Sequence, residues 1–259
     1  MGVTVTYLSL IVLVPLAALV LRSFDNGLAY WWHAVTSARS LASFRLSFGA
    51  SLAAACVDLV FGTLTAWVLV RYRFPGRRLV DALIDLPFAL PTAVAGITLT
   101  AIYAGNGWIG RYLEPLGLKI AFTRLGVFVA LIFVGLPFIV RTVQPVLQDL
   151  DKQYEEAAAS LGASRWQTFS RVLLPTLLPA LMTGFTMALA RAVGEYGSVI
   201  FIAGNMPMVS EITPLLIIIK LEQYDYVGAA AIGTGMLIVS FLLLLVLNML
   251  QRWARRGHR

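Results

Sequence analysis

The feature that most limits the fold of this chain is the run at residues 228–250, GAAAIGTGMLIVSFLLLLVLNML, which carries no charged side chain and runs straight into the basic tail QRWARRGHR. A hydrocarbon layer about 30 Å thick is crossed by about 20 helical residues, so a run of this length and composition is a membrane-spanning helix. Within hydrocarbon, backbone N–H and C=O groups must find partners inside the protein, which a helix provides by itself. Similar runs lie at about 3–21, 47–70, 82–104, 125–144 and 176–203. Six such spans fill most of the 259 residues, and 1–259 reads as a single all-α membrane domain. A mean hydropathy of +0.82 with 13% charged residues agrees, because a water-soluble domain needs more polar surface.

Charge placement sets the expected direction of the spans. With the N-terminus inside, twelve basic residues fall in cytoplasmic segments: Arg71, Arg73, Arg77, Arg78, Arg141, Lys152, Arg165, Arg171, Arg252, Arg255, Arg256 and Arg259. Seven fall outside (Arg22, Arg39, Arg45, Arg111, Lys119, Arg124 and Lys220), so both termini are expected in the cytoplasm. The first run lacks the basic leader of a cleaved signal and is expected to be retained. A net charge of +7 dispersed over the ends of apolar runs is no nucleic-acid face. Cys56 is the only cysteine, which excludes an intrachain disulfide or a Cys-based metal cluster. With His33 and His258 outside the spans, no nucleophile and base come together, and an enzyme is not expected.

One polar interruption is built like structure and unlike a linker. In EEAAASLGASRWQTFSRVLLP, residues 155–175, a strong helix former leads to Gly162, and Ser164 and Gln167 stand three apart as a capping box. The expected form is a helix over 151–161, a sharp turn and a second helix, with Asp149 and Asp151 supplying negative charge at the start and Pro175 and Pro179 interrupting the way onward. Ala157, Ala158 and Ala159 leave a flat side for close approach, while Glu155 and Glu156 offer carboxylates to a basic partner. An acid-led helix is poorly suited to lie on anionic lipid.

Charges inside spans are costly, about 2.5–3.5 kcal/mol at a helix centre, and usually face the bundle interior or water. Arg191 and Glu195 are four apart, either as an ion pair that fixes packing or as groups that admit an anion and limit its hold. Gly194 and Gly197 permit unwinding or close approach beside them. Asp58 is a third buried charge, and Pro87 and Pro91 are expected to bend the third span. Thr213 is expected to cap a helix beginning at Pro214.

Two stretches together resemble one family. Glu156-Ala157-Ala158, then Gly162, Val172 and Leu174-Pro175, are similar to the EAA signature of permease subunits in binding-protein-dependent ABC importers, with Val172 where Ile is usual. RAVGEYGSVIFIAGNMP and SEITPLLIIIKLEQYDY, residues 191–207 and 210–226, resemble the sulfate/thiosulfate permeases of that family. The resemblance covers about 44–250, leaves about 3–21 as an accessory helix, and makes 149–175 the coupling loop. It implies the type I importer fold in an inner membrane, with alternating access driven through Glu155, Glu156, Ala157, Ala158, Leu161 and Gly162. Arg191, Gly194, Glu195, Gly197 and Asp58 are then candidates for the pathway or its gate. The implied partners are a CysW-like permease subunit, two CysA-like ATPase subunits that carry MgATP, and an extracytoplasmic sulfate-binding protein. The chain itself lacks the phosphate-binding sequence G-x-x-x-x-G-K-[ST] and is expected to hold no cofactor. Molybdate/tungstate permeases share the Gly194–Gly197 core and remain an alternative. A proton-coupled secondary anion transporter using Glu195 and Asp58 leaves the coupling loop unexplained.

Overall fold

The computed structural model describes residues 2, 6, 7 and 9–256, with side chains as far as Gln251. The beginning of the expected first span, the side chains of Arg252, Arg255 and Arg256, and both His258 and Arg259 lie outside the described residues. Among the described residues every regular element is helical.

The centre is a trio of long helices: α3 (Ala38–Arg71), α8 (Arg124–Asp149) and α10 (Arg165–Val193). They approach closely because glycines face a branched side chain. A methyl group at Gly62 of α3 would meet Ile139 Cβ of α8 at 2.8 Å, and one at Gly184 of α10 would meet Ile139 Cα at 3.2 Å. In lipid, where tails are as apolar as leucine, such close van der Waals packing replaces the hydrophobic drive between helices. The fourth long helix, α13 (Tyr226–Arg256), packs on α10 and on a bent pair, α1 (Ser9–Ser23) and α2 (Gly27–Thr36), which turns by 96°.

Four helices are long and apolar enough to cross a bilayer, and the bent pair makes five. The expected third span is not continuous. It consists of α4 (Arg77–Ile84), α5 (Leu86–Ala89) and α6 (Thr92–Tyr103), because Pro87 and Pro91 break the helix where a bend was expected. Leu90 and Pro91 are extended, as the residue before a proline prefers to be. At about 1.5 Å per residue, the twelve residues of α6 reach about 18 Å, short of a crossing.

Other boundaries also move. The helix of the second span starts at Ala38, ahead of the apolar run, because the Ser37 hydroxyl accepts a hydrogen bond from the Ser40 N–H at 3.2 Å. The fifth span ends at Val193, with Gly194 closing it, and the chain resumes in α11 (Val199–Ile202). Pro175 and Pro179 do not stop α10. A π-helical turn over Phe169–Leu173 precedes Pro175, which lies in the first turn of the α-helical segment Leu174–Val193 that continues α10. Short α7 (Gly110–Leu113) precedes α8.

Candidate functional site

At one end of the trio the polar interruption folds as its residues dictate. Gln153–Ser160 forms α9, and Gly162 follows at φ +80°, a left-handed turn that a side chain would strain by about 1–2 kcal/mol. The capping box then opens α10: Ser164 Oγ accepts from Gln167 N at 3.3 Å, and Ser164 N donates to Gln167 Oε1 at 2.8 Å. Asp149 does not begin α9 as expected, since it is the last residue of α8. Asp151 does serve the turn, its Oδ1 accepting from Gln153 N at 3.0 Å.

The two glutamates of the motif divide their tasks. Glu156 is exposed, together with Ala157 and Gly162, whereas Ala158 is buried against the bundle. Glu155 turns inward to Arg71, the last residue of α3, at 2.8 Å. That contact is an ion pair without hydrogen-bond alignment, because Arg71 Nη2 donates to the Leu150 carbonyl at 3.0 Å. The guanidinium also lies 5.7 Å from the ring centre of Trp67. Arg71 therefore ties α9 directly to a central helix. Around the exposed face stand Tyr154, Leu161 and Trp166, at 61%, 89% and 72% exposure, an apolar rim of the kind that marks an interaction surface. Sequence reasoning missed Arg71 as the partner of Glu155, since nothing in a one-dimensional string links positions 84 residues apart.

A second cluster grips the same end. Arg141 of α8 donates to both carboxylate oxygens of Asp85 at 2.7 and 2.6 Å and to Asp81 Oδ1 at 2.7 Å, fixing α4 against the trio. Both acids were unmarked in the sequence, where Asp85 lies near the start of the expected third span and Asp81 just before it.

Midway along, the two interrupted spans meet. A methyl group at Gly96 of α6 would fall 2.4 Å from the Ser198 carbonyl oxygen, and one at Gly197 would fall 2.1 Å from Thr92 Oγ1. Gly197 thus serves the close approach read from the sequence, and Gly194 the unwinding. Arg191 and Glu195 do pair, although Glu195 lies beyond the end of the helix. Glu195 is buried, and its Oε1 also accepts from Ser198 N and Ser198 Oγ, each at 2.8 Å, just ahead of α11. Arg191 remains one-third exposed. Asp58 joins neither residue. It is buried on α3 with no hydrogen-bond partner for either oxygen among the described residues, and Gly135 of α8 provides its room: a methyl group there would stand 2.2 Å from Asp58 Oδ2.

The opposite end is held by a bidentate pair, Arg39 Nε and Nη2 to Glu211 at 2.8 and 2.6 Å. Beyond it, α12 (Thr213–Glu222) starts one residue earlier than expected, so Thr213 is the first helical residue and not the cap. Its N–H donates instead to Ser47 Oγ of α3 at 2.8 Å.

The model of the family described as binding-protein-dependent transport system inner membrane component matches residues 58–259. The chain belongs to this family. This inner-membrane component is 53% identical to the sulfate transport system permease protein CysT of Synechocystis sp., over 98% of its own length and 89% of that protein. It is 47% identical to the CysT protein of Escherichia coli K12, over 100% of its own length and 94% of that protein. Among solved structures, it is similar to a bacterial ABC transporter that imports the acidic polysaccharide alginate, with a TM-score of 0.76 at 17% identity, covering 96% of this chain and 92% of that one. Similarity to the MetNI methionine ABC transporter is weaker, with a TM-score of 0.55 at 22% identity over 85% of this chain and 99% of that one. At these identities the two structures speak for the fold.

Proposed function

We propose that this chain is the permease subunit of an ATP-driven importer that moves sulfate and thiosulfate across a bacterial inner membrane by alternating access. The observation that carries the reading is α9: an exposed helix, rimmed by apolar side chains and tied through Glu155 and Arg71 to the end of α3. In this reading α9 seats in the ATPase partner, and Glu156, Ala157, Leu161 and Gly162 form the seat while Ala158 packs inward. Closure of two CysA-like subunits around MgATP pulls on α9, and Arg71 passes the displacement to the trio. The α9 end is then cytoplasmic, as are both termini. The end with Arg39 and Glu211 faces an extracytoplasmic sulfate-binding protein, and a CysW-like subunit completes the pathway.

The substrate assignment rests on near-half identity over the full chain to proteins named as sulfate permeases. Arg191, Gly194, Glu195 and Gly197, where broken spans cross, and Asp58, buried beside Gly135, belong in this reading to the moving part of the pathway. Discontinuous helices at a bilayer midplane free backbone groups that an ion can use.

The test uses the assembled transporter. Glu156→Lys and Gly162→Pro, the latter incompatible with a positive φ, are expected to leave assembly of the membrane subunits intact and to depress ATP turnover stimulated by sulfate-loaded binding protein. Unchanged turnover in both variants refutes the coupling role. Uptake of labelled sulfate that molybdate abolishes at equal concentration overturns the substrate assignment in favour of a molybdate permease.

A further inference from the structure

Arg191 lies inside a span, yet Glu195 neutralises it. Cationic charge without an acidic partner is found elsewhere, in a cavity of about 470 Å³ at the Arg39–Glu211 end of the trio. Arg45 of α3 and Arg124, the first residue of α8, both line it, with Gly49, Phe128, Met208 and Val209 among the other walls and no acidic side chain. Neither arginine lies within ion-pair distance of a carboxylate among the described residues. Other cavities differ: the one beside α9 includes Asp149, and Arg22 in the one under α1 pairs with Asp25 at 3.5 Å.

The rim of the cavity is fixed before any ligand arrives. Arg124 Nε donates to the Val209 carbonyl, and Met206 N donates to Ser210 Oγ at 3.0 Å. The loop holds Met208, between these contacts, and Asn205, just before them, at φ +59° and +53°, a left-handed conformation that costs side-chain residues energy. The charges also sit at the end where basic residues gain nothing from orienting the chain in the membrane. Two guanidiniums on one concave surface focus field lines, and each presents a planar fork of donors matched to an oxyanion. Both are exposed to water, which keeps the hold weak enough for release.

We propose that Arg45 and Arg124 form an anion station at the outer mouth, which takes a small tetrahedral dianion such as sulfate on its way from the binding protein to the crossing of the broken spans. This rests on the proposed import of an oxyanion and goes beyond it in naming the residues that receive the ion.

The experiment uses the complete transporter in vesicles, with Cys56→Ser as background and a thiol introduced by Ala42→Cys in the cavity wall. Methanethiosulfonate reagents carrying a sulfonate or a trimethylammonium group report the local potential without any need for transport. The sulfonate reagent is expected to react at least about tenfold faster relative to its rate on a free thiol, the lower end of what a focused field achieves. That preference is expected to disappear in Arg45→Gln/Arg124→Gln, to persist in Arg45→Lys/Arg124→Lys, and to yield to protection by sodium sulfate. The Gln pair is also expected to lower sulfate moved per ATP hydrolysed. Absence of the preference, or its survival in the Gln pair, overturns the station. So does a Gln pair that only raises the half-saturating concentration of binding protein at unchanged sulfate per ATP, since the arginines then serve docking. A preference that stands while sulfate neither protects nor enters upholds the anion station and refutes sulfate as the cargo.

Discussion

Removing Arg71 should free α9 from the bundle without touching its exposed face. The side chain is 9% exposed and Glu155 is 27% exposed, so the pair is neither a surface ion pair, worth about 0–1 kcal/mol, nor fully buried, where breaking one partner costs about 3–5 kcal/mol. Direct attraction at an effective dielectric of about 20 is about 4 kcal/mol at 4 Å, from which desolvation of both groups must be subtracted. About 2 kcal/mol of coupling is left, which corresponds to about a thirtyfold change in the opening of α9. A double-mutant cycle of Arg71→Ala and Glu155→Ala isolates this from the separate bond to the Leu150 carbonyl. The readout is amide hydrogen exchange of residues 153–161 in the assembled transporter in lipid nanodiscs, together with sulfate moved per ATP. Each single variant should speed exchange and lower the transport ratio, and the double variant should do little more than Arg71→Ala alone. A coupling below about 0.5 kcal/mol, the limit of simple additivity, refutes the latch.

Gly135→Ala forces a methyl group to 2.2 Å from Asp58 Oδ2 and should lower thermal stability of the purified complex by about 1–3 kcal/mol, with Asp58→Ala restoring it; a melting curve of each variant decides. Gly96→Ala meets the Ser198 carbonyl, a backbone atom that cannot rotate away, so it should reduce transport more than Gly233→Ala, whose added methyl comes no nearer than 3.9 Å to a side chain, as measured by initial uptake rates. In the turn between α12 and α13, burial acts to raise the Asp225 carboxyl, but Lys220, the Gly228 N–H and Tyr30 outweigh it and hold its pKa below the usual value. A depressed carboxyl stabilises the fold above its unfolded pKa of about 3.9, and that contribution is lost as pH falls through the lower folded value. Acidification from pH 5 to below that lowered value should therefore loosen α2 from the α12–α13 turn, seen as a change in Trp31 and Trp32 fluorescence, and Asp225→Asn should abolish that step.

Much of the coupling loop was legible because its signals are local. A helix former followed by glycine, and a serine three residues before a glutamine, act over one turn, so α9, the left-handed Gly162 and the capping box could be read from neighbours alone. The prolines were harder, because their effect depends on where in a helix they fall. Pro175 lies in a first turn after a π-helical stretch and is tolerated, while Pro87 and Pro91 leave short pieces. The third span failed as a continuous helix for that reason, although its hydropathy is that of a crossing.

Hydropathy and charge by themselves determined that this chain lives in a bilayer, that its backbone is helical, and that one polar loop interrupts it. These properties follow from each residue and its near neighbours, because transfer to lipid and helix capping are local costs. Only the tertiary structure decided that Glu155 turns inward to Arg71 while Glu156 faces out, that Gly135 makes room for Asp58, that Glu195 cancels Arg191, and that Arg45 and Arg124 converge on one cavity. Each depends on helix rotation and on a contact between distant residues, and a rotation of one residue, about 100°, would undo it while leaving composition and periodicity unchanged.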